Sequence, residues 1–86
     1  MSIFYFTFPG RSIFYQHYVK IEASSEEAAR VLMMNTFGVH WAFCYAPDRW
    51  VRDGVSQAEL YGLQLLVVVV ETPAGPRRGW EVMNNV

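Results

Sequence analysis

The chain predicts an α+β fold: an antiparallel-type sheet of about four strands with one helix packed across one face. The expected order is strand, strand, helix, strand, short helix, strand. Three observations lead there. Several segments are dense in β-branched and aromatic residues and alternate with period two. One stretch, from Ser24 to Gly38, carries both helix start and helix stop signals. The total of 86 residues suffices for one hydrophobic core and no more.

Ser2 to Phe8 (SIFYFTF) reads as the first strand, with Ile3, Tyr5 and Thr7 on one side and Phe4, Phe6 and Phe8 on the other. Pro9-Gly10 supplies turn chemistry. His17 to Ala23 follows as a half-buried strand, in which Val19, Ile21 and Ala23 alternate with Tyr18, Lys20 and Glu22 on a wet face. Ser24-Ser25-Glu26-Glu27 is read as a capping box, its Ser24 hydroxyl accepting from the backbone N–H of Glu27. The helix it opens is expected to turn Ala28, Val31, Leu32 and Asn35 toward the sheet, with Met34 beside them and Arg30 pointing away. Gly38 closes it.

Val39 to Tyr45 (VHWAFCY) predicts a third strand, with Trp41, Phe43 and Tyr45 sharing one face and His40, Ala42 and Cys44 the other. Ala46-Pro47-Asp48 breaks it. Val51 to Val55 reads as a polar loop turning at Asp53-Gly54, and Ser56 to Glu59 as a weaker capping box for one helical turn ending at Gly62. Leu63 to Thr72 completes the sheet. That last strand has no polar face after Gln64: Leu63, Leu65, Val67 and Val69 point one way and Leu66, Val68 and Val70 the other. Either it is central and covered on both faces, or its outer face meets another chain. Residues 1–72 are taken as the single domain. The remainder, 73–86 (PAGPRRGWEVMNNV), changes composition and is expected as a mobile extension or an edge strand anchored by Trp80, Val82 and Met83.

Composition narrows the chemistry. Hydrophobic residues make up 52% and aromatics 16%, so fourteen rings are more than so small a core easily hides, and an exposed aromatic patch is expected. The net charge of −1 lacks the basic surplus of a nucleic-acid binder. The one cysteine, Cys44, forms no internal disulfide and suits a reducing compartment. The N-terminus has no signal-peptide pattern and the apolar run 63–70 is too short for a membrane helix, so a cytoplasmic location is expected.

His17, His40 and Cys44 match no zinc spacing, and on one strand His40 and Cys44 would stand about 13 Å apart. A Cys-His nucleophile pair on one strand meets the same separation, although His17 could approach Cys44 from a neighbouring strand; phosphate loops and nucleophile elbows are absent. No enzyme activity and no cofactor are expected. Partner contacts are expected instead at Arg49, Trp50 and Arg52, a basic aromatic cluster of hot-spot residue types, whose alternative is a solvated turn. The competing surface is the wet face carrying Tyr18, Lys20 and Glu22. Leu66, Val68 and Val70 form the candidate oligomer or partner interface.

Tyr5 to Trp50 resembles a family of short phage and prophage proteins. The residues that carry the resemblance are Tyr5-Phe6-Thr7-Phe8, Tyr18-Val19-Lys20-Ile21-Glu22-Ala23, Glu26-Glu27-Ala28-Ala29-Arg30, Phe37-Gly38, and Trp41-Ala42-Phe43 with Tyr45. The chain departs from that pattern at Pro9-Gly10, and the resemblance stops beyond Trp50. Members are small accessory proteins, so the resemblance transfers no catalytic residue. It implies a phage-encoded protein that occupies a host surface, and anti-CRISPR proteins are a class of this size and simplicity. The function expected is therefore stoichiometric inhibition of a host protein or ribonucleoprotein effector in the host cytoplasm. The alternatives are a structural or homo-oligomeric phage component, such as a homodimer, and a single-stranded nucleic-acid-binding module.

Overall fold

The computed structural model describes residues 2–38 and 41–72, together with the backbone of 80–84. The chain runs β1 (Ser2–Thr7), β2 (His17–Ala23), α1 (Glu26–Phe37), β3 (Phe43–Tyr45), α2 (Pro47–Arg49), a π-helical turn (Trp50–Gly54), α3 (Val55–Tyr61), β4 (Gln64–Glu71) and β5 (Trp80–Asn84). This is an α+β fold. The sheet has five strands in the order β3-β1-β2-β4-β5 and is mixed, not antiparallel throughout, because β4 lies parallel to β2. The connection between them carries α1, β3 and the second helical segment, and such a crossover is what parallel neighbours require. The fifth strand pairs with β4 across Val67–Glu71 at the sheet edge; the rest of 73–86, including the side chains of Trp80, Val82 and Met83, lies outside the described residues.

The core sits between the sheet and α1. Phe4, Phe6 and Phe8 from the first strand and its exit meet Val19, Ile21 and Ala23 of β2 and Val69 of β4. From the helix come Ala28, Ala29, Leu32 and Met33. The buried stripe is therefore rotated from the expected one: Met33 is inside, Val31 is only partly covered, and Asn35 and Met34 face out. The start also shifts by one residue. Ser25 is the N-cap, its hydroxyl accepting from the Ala28 N–H at 3.1 Å. Ser24, the expected cap, instead donates from its backbone N–H and its hydroxyl to the Glu71 carboxylate at 3.1 and 3.0 Å. That contact ties the β2–α1 corner to the far end of β4. Gly38 does end the helix, at a φ of 82°.

β4 does not keep the expected alternation. Its register against β2 shifts between Tyr18–Leu65 and Val19–Val67, leaving Leu66 as the extra residue of a bulge. Leu66 consequently packs with the core instead of sharing an outer face with Val68 and Val70. Those two valines pair with Lys20 and Glu22 and are half-buried. β3 is likewise shorter than expected. Only 43–45 pair with β1; Trp41 precedes the strand and turns to the core side, edge-on to Phe6 at 5.0 Å, with the Arg30 guanidinium 5.2 Å from its ring. Trp41 and Phe43 therefore lie on opposite sides, and Val39 and His40 fall outside the described residues.

Candidate functional site

The largest departure from expectation is residues 47–61, read from sequence mainly as a loop. They form a helical strap across the outer sheet face, entered through Pro47 at the first helical position. Its middle widens into a π turn in which the Val55 N–H reaches the Trp50 carbonyl. Trp50 is the reason the strap lies down. Its ring stacks on Tyr5 at 4.4 Å and 3°, leans on Tyr18 at 5.0 Å and meets Tyr45 edge-on at 5.5 Å. It is 7% exposed. A Cβ at Gly54 would overlap the Trp50 indole, so this glycine is what permits the ring's close approach. The strap ends at Gly62, which takes the left-handed conformation (φ 65°, ψ 35°) while the Leu63 N–H returns to the Ala58 carbonyl.

The expected contact cluster is thereby taken apart. Trp50 is buried in the outer layer, not an exposed anchor, and reaches the surface only in the lining of a small concavity beside α3. Arg49 and Arg52 remain on the surface, where both lean on Asp53, at 4.0 and 3.6 Å; exposed pairs of this kind contribute little. The Tyr18, Lys20 and Glu22 face is also partly covered: Tyr18 lies under Trp50, and the Lys20 ammonium sits 6.0 Å from the Tyr5 ring centroid. Burial, and then the neighbouring Tyr18, pushes the Tyr5 phenol pKa up.

What the strap creates is a cleft that sequence reasoning did not find. Between the strap, β3 and the loop 9–16 lies a concavity of about 610 Å³, with Thr7 and Phe8 in its lining. Besides Phe8, its walls carry four rings. Tyr15 comes from the loop, Phe43 and Tyr45 from β3, and Tyr61 from α3, one turn after Gln57 on the same helix face. Tyr15, Phe43 and Tyr61 are 51, 61 and 65% exposed. Ile13 and Leu60, chain neighbours of this wall, are also exposed large apolar side chains. Among the described residues, none that lines the cleft is charged.

The walls are fixed by local bonding. In the loop, the Ser12 N–H donates to the Pro9 carbonyl at 3.0 Å, Tyr15 N–H to Ser12 and His17 N–H to Phe14. Phe14 is held against Phe8 and Phe37, with centroids 5.3 and 5.5 Å away. The Gln64 N–H donates to the Gln16 carbonyl and the Ala42 N–H to the Thr7 carbonyl, closing the loop and β3 onto the sheet. A smaller concavity on the other side of α3, lined by Tyr18, Ala58 and Glu59 among others, shares Leu63 with the first.

Cys44 lies on the opposite, core side, opposite Phe6 in the β1–β3 pairing. Burial first, then the Glu26 carboxylate, push its thiol pKa up to about 11, partly offset by Arg30, so it is a neutral, weakly nucleophilic group at physiological pH. Among the described residues, no three His, Cys, Asp or Glu side chains could hold a metal ion together, and no helix is long and apolar enough to cross a membrane. Among the described residues, the cleft offers rings, tyrosine hydroxyls and two side-chain amides. No protein-family model matches the chain, and neither a curated protein nor a solved structure does.

Proposed function

We propose that the protein is a non-catalytic binding protein that holds an uncharged segment of another protein in the cleft between the strap, β3 and the loop 9–16. In the form the phage-protein resemblance implies, the bound protein is a host defence effector, with a CRISPR ribonucleoprotein foremost, and inhibition is stoichiometric. The observation that carries the reading is the convergence of exposed rings on an uncharged concavity: Tyr15, Phe43 and Tyr61 would be poorly placed on a free surface and well placed under a partner. A homo-oligomeric structural role is the second reading, favoured by β5 closing the sheet with one edge unpaired among the described residues. Single-stranded nucleic acid suits the cleft less well, because among the described residues no Lys or Arg lines it to meet phosphates.

The test is titration of purified effector complexes with the wild-type chain and with Phe43→Ser/Tyr61→Ser, whose altered side chains are exposed and leave the core intact. Inhibition that saturates at a fixed molar ratio and weakens at least tenfold in the double variant, with unchanged circular dichroism, supports the reading. Equal inhibition by both proteins removes the cleft from it, and turnover of the effector by substoichiometric protein removes the non-catalytic claim.

A further inference from the structure

We infer that the segment held in the cleft is proline-rich and binds in the extended polyproline II conformation, an inference that rests on the protein-binding reading above. The walls offer flat rings at Tyr15, Phe43, Tyr45 and Tyr61, donor groups at the tyrosine hydroxyls and the Gln16 and Gln57 amides, and, among the described residues, no charge. A polyproline II segment presents the complement. It has no internal hydrogen bonds, so its carbonyls seek donors, and its rings lie flat on aromatic side chains.

Proline also brings no backbone N–H, so a proline-rich segment asks few acceptors of the walls and leaves their hydroxyl and amide donors to its own carbonyls. A charged peptide or a phosphate backbone would give up hydration without meeting a counter-charge. An added strand would need an open sheet edge, and the edge strand at this cleft, β3, is three residues long. Because the cleft walls are pinned by the bonds of the loop 9–16 and by Gly62, the site is formed before the segment arrives, which limits the ordering cost to the segment itself.

The test uses nitrogen-15-labelled full-length protein titrated with a capped decapeptide of repeated Pro-Pro-Ala units. A Gly-Ser decapeptide and an oligothymidylate serve as controls, and sedimentation velocity is run on the protein alone. The expected result is saturable shifts confined to residues 9–16, 42–45 and 57–63, including the Gln57 side-chain amide. Affinity should fall at least tenfold in Phe43→Ser/Tyr61→Ser, and neither control should bind there. Absence of saturable shifts, equal binding by the variant, preference for the oligothymidylate, or a wild-type dimer that the double variant dissociates would each overturn the inference. Should the proline peptide fail while the double variant still loses effector inhibition, only the peptide class is wrong. Should the variant inhibit fully, the cleft reading itself is wrong.

Discussion

Gly54 offers a change whose sign depends on one neighbour. Its backbone is right-handed helical (φ −74°, ψ −39°), and at such a position Gly→Ala ordinarily stabilises by roughly 0.5–1 kcal/mol. Here the added methyl would overlap the Trp50 indole. The indole has little room to retreat, because Tyr5 is stacked on it and Tyr18 and Tyr45 flank it. Overpacking of that kind costs about 1–3 kcal/mol, so Gly54→Ala should destabilise. Removing the ring by Trp50→Ala should itself cost roughly 3–5 kcal/mol. In that background the three nearest atoms the methyl would meet, all of the indole, are gone, and Gly54→Ala should become neutral or stabilising. A double-mutant cycle should therefore report a coupling of roughly 1–4 kcal/mol between the two positions. The assay is urea unfolding followed by far-ultraviolet circular dichroism, in sulfate buffer so that the weakest variant stays folded. Additive effects, or a stabilising Gly54→Ala in the wild-type background, would refute the packed π turn and with it the wall of the cleft.

Three further outcomes follow from the packing. Leu32 is fully buried between α1 and the sheet, so Leu32→Ala should cost roughly 2–5 kcal/mol by urea unfolding, and a loss below about 1 kcal/mol would mean another helix face is inside. Val69 faces the core and Val70 the outer side, so Val69→Thr should cost about 1–3 kcal/mol by burying an unmatched hydroxyl and Val70→Thr less than half as much; equal losses would contradict the register set by the Leu66 bulge. The Cys44 thiol, pushed up to about 11, should react with a thiol reagent at neutral pH at least tenfold more slowly in the folded chain than in urea. Because the fold raises this pKa, the neutral thiol's contribution to stability is fully present below the ordinary thiol range and is lost as pH rises toward about 11; a wild-type stability advantage over Cys44→Ala that grows with alkaline pH would contradict the assignment.

The strands of period-two patterning were legible. In β1 and β2, Phe4 and Phe6 against Tyr5, and Val19 and Ile21 against Lys20, sort to the two faces as alternation requires. The helix was legible as an element but its cap was not, since Ser24 and Ser25 are chemically equal candidates. What chose between them was Glu71, forty-seven residues on, which takes Ser24 for itself. The parallel pairing of β2 with β4 left one trace, the two-sided apolar run Val67–Val70, which is how a strand covered on both faces reads.

The strap was illegible for a definite reason. Arg-Trp-Val-Arg-Asp-Gly has the polarity of a loop and an Asp-Gly turn signal, and the gain that overrides both is tertiary, the seating of Trp50 on three tyrosines. The same event hid the site. Trp50 looked like the exposed anchor and is the internal one, whereas the exposed rings are drawn from three separated segments, at Tyr15, Phe43 and Tyr61. The one signal for them was the aromatic excess, which announces a patch without placing it.

The central claim, that function resides in the uncharged aromatic cleft, is tested most directly by phage survival on a CRISPR-bearing host that expresses the wild-type chain, Phe43→Ser/Tyr61→Ser, or Met34→Ser. Met34 is half-exposed on the helix side of the sheet, away from the cleft, and controls for loss of a surface apolar group. Protection by the wild type and by Met34→Ser, with at least a tenfold loss in the double variant at equal protein level, is the result this account predicts. Undiminished protection by the double variant, or none by the wild type against any system tested, would contradict it.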